Sequence, residues 1–352
     1  MGDRTAVLVV PGPLDRLTGG YGYDRSIIDG LCRLGWSVTT RELAGDYPMP
    51  TAADRAAAAT VLASLPDETL VIADGLALGA LPAEIEQEQR RLRVVALVHH
   101  PLALETGLDR ETAARLKADE RRALACARHV VVTSPATAAL LADYDVGPER
   151  VAVVEPGTEP ASVARGSQSS SVAMLCVATL TPRKGHALLF RALASLAHLP
   201  WTLTCVGSVD VDRSTTDRLR EDLASLAIAN RVSLVGEMVG AALAARYDAA
   251  DVFVLATHFE GYGMVVAEAL ARGLPVISST TGAIPALVGQ DAGLLVPPGD
   301  GDALARALRR FFEDEPLRRR LADGARRVRA ALPTWDDAAR KMSRVLDEQK
   351  RH

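Results

Sequence analysis

The sequence predicts an α/β protein made of two doubly wound domains, each with a parallel sheet. Short apolar, β-branched segments alternate with Ala- and Arg-rich stretches of helical period, a pattern typical of parallel strands covered by helices on both faces. The alternation runs twice, and a segment rich in Pro, Gly and Ser separates the two runs. A chain of 352 residues is also long for one hydrophobic core.

Strands are predicted at similar intervals in both runs. The first run contains Ala6–Val10, Ser37–Thr40, Leu70–Ala73, Val94–Val98, His129–Thr133 and Val151–Val154. The second contains Ala173–Ala178, Trp201–Val206, Val232–Val235, Asp251–Leu255, Pro275–Ser278 and Gly293–Val296.

The separating segment, Glu155–Pro160 and Arg165–Ser171, places the domains at 1–160 and 161–334. After Pro333, Thr334 is a suitable cap for a last helix over 335–352. Because ligands of open α/β sheets bind beyond the carboxyl ends of the strands, we expect the site in a cleft between the two domains.

Composition narrows the class of protein. Hydrophobic residues make up 48% of the chain and charged residues 24%, as in an ordinary soluble protein. A net charge of −4 argues against nucleic-acid binding. With no apparent signal peptide and no apolar run of membrane-spanning length, we expect a cytoplasmic protein whose membrane association is peripheral at most. The abundance of Ala and of Arg over Lys suggests a bacterial source.

The cysteines do not predict a metal centre. No two of them form a C-x-x-C pair, so neither zinc nor a redox dithiol is indicated, and two lie in apolar strand-like runs typical of small core residues. The four are Cys32, Cys126, Cys176 and Cys205.

The most informative stretch runs from Glu260 to Glu268, between a predicted buried strand and a predicted helix that ends near Gly273. Glu260 falls in the loop, and Glu268 is expected about two turns into the helix. The glycines between them allow an anion to approach a helix N-terminus, whose free N–H groups suit a phosphate. Two carboxylates for hydroxyls beside a phosphate pocket match the groups of a nucleotide-activated sugar.

This stretch, with Gly-Tyr-Gly-Met inside and Ala-Leu-Ala after it, resembles the signature of the retaining glycosyltransferases of family four, the "glycosyl transferases group 1" type. The resemblance implies the GT-B fold, with two Rossmann-like domains facing across a cleft. It is strong over Ala173–Pro298 and holds only in outline in the first domain. The donor-binding residues implied within the stretch are Gly261, Tyr262, Gly263, Met264, Val265 and Glu268.

Arg183 and Lys184 lie in Thr179–His186, which follows a strand and opens a helical pattern. An Arg fork and a Lys charge suit a diphosphate and would stabilise the charge that builds on it as it leaves. The segment resembles the Arg/Lys-Lys-Gly element of the family. This chain departs from the family at Ala178-Thr179, where many members carry Gly-Arg.

The first domain offers two further elements. Gly19-Gly20-Tyr21-Gly22 is expected in a loop before a helix that starts near Asp24. The segment resembles the family's Gly-Gly loop, which lies against the donor phosphates. The resemblance therefore makes Gly19 and Gly20 donor-binding candidates. His99 and His100 end a strand, where the family usually has a His facing the donor sugar. The resemblance favours His99.

Two loops of the second domain complete the candidates. The family's backbone contacts the nucleobase in a loop that matches Gly236-Glu237-Met238, which makes Glu237 and Met238 donor-binding candidates. Asp210-Val211-Asp212 has the spacing of a metal-binding D-x-D pair, but its helix-start context argues against that role.

The predicted function is therefore a retaining, metal-independent hexosyltransferase without a cofactor. It would move the sugar of a UDP- or GDP-sugar to a hydroxyl of a small molecule, saccharide or lipid, with His99, Arg183, Lys184 and Glu260 as catalytic residues and Glu268 on the ribose. The protein would be a monomer or homodimer. The resemblance implies front-side attack, in which the departing phosphate helps to deprotonate the acceptor.

Three other functions are considered. A glycoside hydrolase would use Glu260 and Glu268 as acid and base, which requires carboxyl groups roughly 5–9.5 Å apart on one bond. A non-catalytic nucleotide-sugar-binding protein on the same frame is a second option. A nicotinamide oxidoreductase is weaker, because the glycine fingerprint is incomplete.

Overall fold

A computed structural model describes residues 4–351 of the chain. These residues divide into two compact units: one combines the chain up to Gly157 with the chain from Pro333 onward, and the other is Thr158–Leu332. We call them unit 1 and unit 2. Each contains a six-stranded sheet in which every strand pair is parallel. The predicted fold class is confirmed.

Unit 1 has the strand order β2-β1-β3-β4-β5-β6. Its strands are β1 Thr5–Pro11, β2 Ser37–Leu43, β3 Leu70–Asp74, β4 Arg93–Val98, β5 His129–Val132 and β6 Val151–Val153. Its helices are α1 Gly19–Arg33, α2 Ala52–Ala63, α3 Gly75–Leu78, α4 Pro82–Glu88, α5 Arg110–Cys126, α6 Pro135–Leu140 and, at the end of the chain, α14 Trp335–Arg351.

Unit 2 has the strand order β12-β11-β10-β7-β8-β9. Its strands are β7 Val172–Val177, β8 Trp201–Val206, β9 Val232–Leu234, β10 Val252–Leu255, β11 Val276–Ser279 and β12 Gly293–Val296. Its helices are α7 His186–Ala194, α8 Arg213–Ser225, α9 Gly240–Asp248, α10 Met264–Ala271, α11 Ile284–Val288, α12 Gly301–Glu313 and α13 Glu315–Arg329. All twelve predicted strands are present, with ends within one residue of prediction except at β2, which extends three residues further.

The sheets are the cores of their units because their central strands are buried on both faces. All four residues of β10 are buried, as are all five of β3, so these strands read as apolar runs rather than alternating ones, with Asp74 at the end of β3 as the one polar residue. Edge strand β2 instead leaves most of its side chains at least partly exposed. The central strands are therefore the ones that place their carboxyl ends, and the residues after them, at well-defined positions.

Helix α14 belongs to unit 1 and packs against α1. Trp36 Nε1 donates to Ser343 Oγ at 2.9 Å, and a Cβ added to Gly30 would lie only 2.4 Å from Ala339 Cβ, so glycine permits the close approach of the two helices. Thr334 caps the helix as expected, since its Oγ1 accepts from the backbone N–H of Asp337 at 3.2 Å. Among the described helices, none combines the length and the apolar character that a membrane span requires.

Candidate active site

The carboxyl ends of β7 and β10 carry a partly buried ion cluster formed by Arg183, Lys184 and Glu260, called here the Lys184 cluster. Lys184 Nζ hydrogen-bonds to Glu260 Oε1, and Arg183 Nη1 lies 3.7 Å from the same oxygen. Glu260 is only 8% exposed. Two cations therefore share one carboxylate in a partly desolvated position.

Backbone geometry explains why these residues meet. Strands β7 and β10 are neighbours, so the segments that follow them run side by side. The backbone N–H of His258 donates to Arg183 O at 2.8 Å, and Arg183 Nη1 donates to Phe259 O at 3.0 Å. Between them, Gly185 has φ +70°, and a Cβ there would lie 1.9 Å from Ala256 O. Only glycine fits, because the turn needs both a left-handed conformation and close contact with the next segment.

The cations come before an α-helix and do not lie inside its first turn. Residues Pro182–Lys184 form a single 3₁₀ turn, Gly185 reverses the backbone, and α7 begins at His186. The two cations therefore lie in the turn before the helix, and not at the helix start where the sequence placed them. Their side chains are held against Glu260 and the 258–259 backbone.

Helix α10 begins later than the sequence suggested. Gly263, with φ +93°, precedes the first helical residue, Met264, and Gly261 and Tyr262 form the loop before it. Glu268 is therefore the fifth residue of the helix, little more than one turn from its start, and the expectation of two turns is wrong. By helix geometry the N–H groups of Met264 and Val265 have no intrahelical partner, whereas that of Val266 donates to Gly263 O at 2.9 Å.

Glu268 is held by an aromatic residue that the sequence did not single out. Tyr247 on α9 donates from its hydroxyl to Glu268 Oε2 at 2.9 Å. Burial raises the pKa of Glu268, while the Tyr247 hydrogen bond and the Arg272 charge act in the opposite direction. Arg272 lies over the Tyr247 ring at 4.4 Å from its centroid, so the tyrosine is fixed from both sides.

The two remaining loops of unit 2 have different characters. Glu237 is exposed and Met238 is partly buried against the core just after β9. In the D-x-D pair, Asp212 caps α8 by accepting from the Thr215 N–H at 2.9 Å, and Asp210 pairs with Arg213 at 3.1 Å. Both aspartates thus already have protein partners, in agreement with the helix-start interpretation.

Unit 1 has its own buried polar cluster, formed by Asp24, Asp74 and His99 and called here the His99 cluster. His99 Nε2 lies 3.3 Å from Asp24 Oδ1 and 3.5 Å from Asp74 Oδ2. The ring also packs edge-on against Tyr23, with centroids 5.3 Å apart. His100, the second candidate, points to Glu105 instead, with Nε2 3.6 Å from the carboxylate.

These carboxylates control the protonation of His99. Burial by itself lowers the pKa of His99, but contact with Asp24 and then Asp74 outweighs it and raises the pKa to about 10. Burial raises the pKa of Asp24, although its contact with His99 opposes the rise. The imidazole is therefore held as a cation at neutral pH.

The glycine segment of unit 1 is not a loop. Thr18 caps α1 through its side-chain oxygen, and Gly19 and Gly20 are the first two helical residues, so the expected start near Asp24 is wrong. The Thr18 cap starts the helix despite the low helix propensity of glycine. A Cβ on Gly20 would lie 3.3 Å from the His99 ring, so the first turn of α1 and the end of β4 meet.

The sequence interpretation missed four partners of these sites. Asp74 ends β3 and could have been found by the same rule that selected His99, since it stands at the carboxyl end of a buried strand. Glu120, whose pKa burial raises to about 8, accepts the Leu102 N–H at 2.9 Å just beyond His99 and His100. Asp24, Glu120 and Tyr247 lie within helices, where only the folded structure shows what they face.

Two family models match the chain. "Glycosyl transferases group 1" matches residues 160–328, which lie in unit 2, and "Glycosyltransferase Family 4" matches residues 65–162. The two matches overlap only at residues 160–162. Together they cover residues 65–328, which is most of the chain.

Curated relatives show the same kinship at moderate identity. A D-inositol 3-phosphate glycosyltransferase of Salinispora arenicola is 33% identical over 286 residues, which are 72% of this chain and 64% of the relative. An MMP alpha-(1->4)-mannosyltransferase of Mycolicibacterium hassiacum is 28% identical over 309 residues, 83% of this chain and 73% of that protein. The alignments span less than two thirds of the D-inositol 3-phosphate glycosyltransferases of Salinispora arenicola and Corynebacterium diphtheriae.

Solved structures share the fold over nearly the whole chain. A sucrose-phosphate synthase from Thermosynechococcus elongatus has a TM-score of 0.82 and 22% identity, with 98% of each chain covered. Anabaena HepE, solved in complex with UDP-glucose, has a TM-score of 0.78 and 17% identity, with 98% of this chain and 99% of HepE covered. At these identities the likeness shows the fold alone.

The two parallel-sheet units are thus those of the GT-B glycosyltransferase fold. The chain belongs to glycosyltransferase family 4, of the group 1 type.

Proposed function

We propose that the protein is a retaining hexosyltransferase. It takes the sugar of a nucleoside diphosphate sugar, UDP- or GDP-linked, and transfers it to a hydroxyl of a small-molecule, saccharide or lipid acceptor. The relatives support transfer to a polar hydroxyl compound, because they include a D-inositol 3-phosphate glycosyltransferase and a mannosyltransferase. The complex of HepE with UDP-glucose supports a UDP-sugar as one donor class.

The Lys184 cluster is the observation that carries the proposal. A solitary buried Lys–Glu pair would be neutral, and its desolvation cost would make it a poor stabilising device. Here a second cation, Arg183, lies beside the pair, and both cations stand just beyond the carboxyl ends of two central strands. An Arg fork and a Lys point charge are the donors that suit phosphate oxygens, so this pair of cations supports a diphosphate site.

Glu260 and Glu268 have separate roles in this proposal. Glu260 lies against the two cations, so its oxygens can orient a sugar hydroxyl next to the diphosphate. Glu268 lies beyond the start of α10 and accepts from Tyr247 through Oε2, which leaves Oε1 for a ribose hydroxyl. The backbone from Gly261 to Val265 lies between them, where the phosphate would bind the helix end.

The chemistry needs no nucleophile from the protein. The bond between the sugar and the diphosphate breaks, the acceptor oxygen bonds to the same face of the anomeric carbon, and the acceptor proton goes to the departing phosphate. Arg183 and Lys184 stabilise the negative charge on the leaving diphosphate, which is the largest contribution expected of a preorganised site. We propose that this stabilisation replaces a divalent cation and that no other cofactor takes part.

A thermal-shift panel tests the donor class. UDP, GDP, ADP, the matching monophosphates and several of their sugars are added to the protein at fixed concentration. A ligand that binds the folded state raises the melting temperature by mass action. The proposal predicts a rise with one base family that is larger for the diphosphate than for the monophosphate. Equal response to all, or none, contradicts it.

A product assay tests the stereochemistry. The donor that stabilises the protein is incubated with inositol phosphates, simple sugars and glycosides, and the anomeric configuration of the product is read by proton NMR. The configuration of the donor is expected to be kept. Inversion of the configuration would contradict the retaining mechanism but would leave the proposed donor site unaffected.

The hydrolase alternative has less support from the geometry. Its two carboxyl groups must flank one glycosidic bond. In this protein Glu260 is bound to Lys184, whereas Glu268 is bound to Tyr247 on a different helix. Release of free sugar from a simple glycoside with no nucleotide present would nevertheless favour it.

A further inference from the structure

Three side chains that the proposed reaction does not use meet in the core of unit 2. Cys176 on β7 and Cys205 on β8 are direct partners in the parallel register, so both project from the same face of the sheet. His186 is the first residue of α7, which follows β7 in the chain. The two Sγ atoms and a ring nitrogen of His186 all lie within 4.8 Å of one another, with 3.7 Å between Cys176 Sγ and His186 Nε2.

We propose that Cys176, His186 and Cys205 bind one divalent thiophilic metal ion, with Zn²⁺ as the ion to test. Thiolate and imidazole are the ligands this ion prefers, at about 2.3 Å for sulfur and about 2.0–2.1 Å for nitrogen. A tetrahedral ion at those distances sets its ligand atoms about 3.5–3.8 Å apart. The atoms lie within 4.8 Å of one another, so each pair needs to draw together by about 1.3 Å at most.

Charge and burial favour an ion of charge +2. Cys176 and Cys205 are each 1% exposed and His186 is 2% exposed, so an isolated charge here would be costly. Two thiolates, a neutral imidazole and a divalent ion sum to zero. Binding releases the two thiol protons and forms two metal–sulfur bonds and one metal–nitrogen bond, with no oxidation or reduction. A water molecule would complete the tetrahedron.

The position gives the ion a structural role. It would join strands β7 and β8 to the start of α7, one residue after Gly185 and two after Lys184. His186 Nδ1 is buried and has no hydrogen-bond partner among the described residues, so apart from the Cys176 contact the ring is held by packing, which includes an edge-on contact with Phe190. A bond from Nε2 to a metal would fix it and, with it, the end of the 182–185 turn.

The spacing explains why the sequence did not indicate this site. Nine residues separate Cys176 from His186 and eighteen separate His186 from Cys205, with no C-x-x-C pair. The ligands come from two strands and a helix start, and only the sheet register brings them together.

Elemental analysis of the full-length protein, purified without a histidine tag, tests the proposal. About one equivalent of zinc per chain is expected, and it should resist chelators until the protein unfolds because the site is buried. Cys176→Ser, Cys205→Ser and His186→Gln should each lose most of the metal. Cys32→Ser and Cys126→Ser, which change cysteines of unit 1, should keep it.

A second measurement uses the unmutated protein and so does not require that the variants fold. The unmutated chain is refolded with Co²⁺, and the thiolate-to-cobalt charge-transfer band and the intense visible bands of a tetrahedral site are recorded. Absence of both bands together with a metal content near zero overturns the proposal, and so does a Cys176–Cys205 disulfide in non-reduced peptide maps. Neither assay involves sugar transfer, so their failure leaves the proposed function untouched.

Discussion

The two units place similar buried clusters at equivalent points of similar sheets, but the clusters differ in charge. In unit 1 the cation of His99 lies between two carboxyl groups. In unit 2 the carboxylate of Glu260 lies between two cations. Two doubly wound sheets with different strand orders thus place two carboxyl groups around a cation in one unit and two cations around a carboxylate in the other. The fold supplies the position, and a few side chains after the strands decide what each position can bind.

Removing the Lys184 cation should have the largest effect. Lys184→Met takes away one donor to the leaving diphosphate, and losses of about 10²–10³-fold in kcat are usual for one donor to developing charge. Steady-state kinetics measure it. Arg213→Ala, which removes an exposed cation elsewhere in unit 2, serves as the control and should change kcat less than about twofold.

A double variant separates charge loss from misfolding. Lys184→Met alone leaves Glu260 buried beside fewer cations, which costs stability. Lys184→Met combined with Glu260→Gln removes both charges and should recover melting temperature without recovering activity. Recovery of activity in the double variant would contradict the assigned role of Lys184.

The next largest effect is expected from changing Gly185, in the turn that positions the Lys184 cluster. Gly185→Ala places a Cβ against Ala256 O and also strains a residue at φ +70°. Strain of this kind alone costs about 1–3 kcal/mol. Gly236→Ala is the matched control, because Gly236 has φ +75° but open space around its Cβ position. Urea unfolding should show a clearly greater loss of stability for Gly185→Ala, and equal losses would mean that the Ala256 contact is unimportant.

The His99 cluster should appear as a pH dependence of stability. The folded pKa of His99, about 10, is above its unfolded value of about 6.5, so its stabilisation is complete below pH 6.5 and is lost as pH rises towards 10. The raised pKa of Asp24 acts with the same sign. Wild type should lose up to about 1.4 kcal/mol per pH unit in this window relative to His99→Gln.

Chemical unfolding of both proteins from pH 6 to pH 10 measures the difference. Asp74→Asn should reduce the slope and lower the pKa of His99 in an NMR titration. Parallel stability profiles for wild type and His99→Gln would show that the imidazole is not held as a cation.

Glu268→Gln should have the smallest effect on catalysis. The amide keeps the shape of the side chain and can still accept from Tyr247, but it binds a ribose hydroxyl less strongly. A rise of about tenfold in KM for the donor, equal to about 1.4 kcal/mol, with kcat nearly unchanged is expected. A large fall in kcat with no change in KM would assign Glu268 to the reaction itself.

The fold could be predicted from the sequence because central parallel strands are buried on both faces and so appear as apolar runs, whatever the surrounding residues are. The Lys184 cluster could be predicted only in part. The sequence placed Arg183, Lys184 and Glu260 after strands. Their pairing with one another depends on the Gly185 turn and on β7 and β10 being adjacent strands. The two helix starts at Gly19 and Met264 were misplaced by several residues, because a Thr18 cap and a left-handed Gly263 set them.

Two other contacts between distant elements could not be predicted from the sequence. Asp24 reaches His99 from a helix, and Cys176 meets Cys205 through strand register. Sequence spacing carries no signal for such contacts. Glu120 shows the same limit, since a buried acid on an otherwise charged helix has no distinguishing pattern.

Calorimetric titration with the preferred nucleotide tests the central claim most directly. The claim is that Arg183, Lys184 and the start of α10 bind the diphosphate. Wild type should bind the nucleoside diphosphate at least about tenfold more tightly than the monophosphate, and an Arg183→Ala/Lys184→Met variant should lose that preference while keeping its fold by circular dichroism. Equal affinity of wild type for the two nucleotides, or an unchanged preference in the variant, would contradict it.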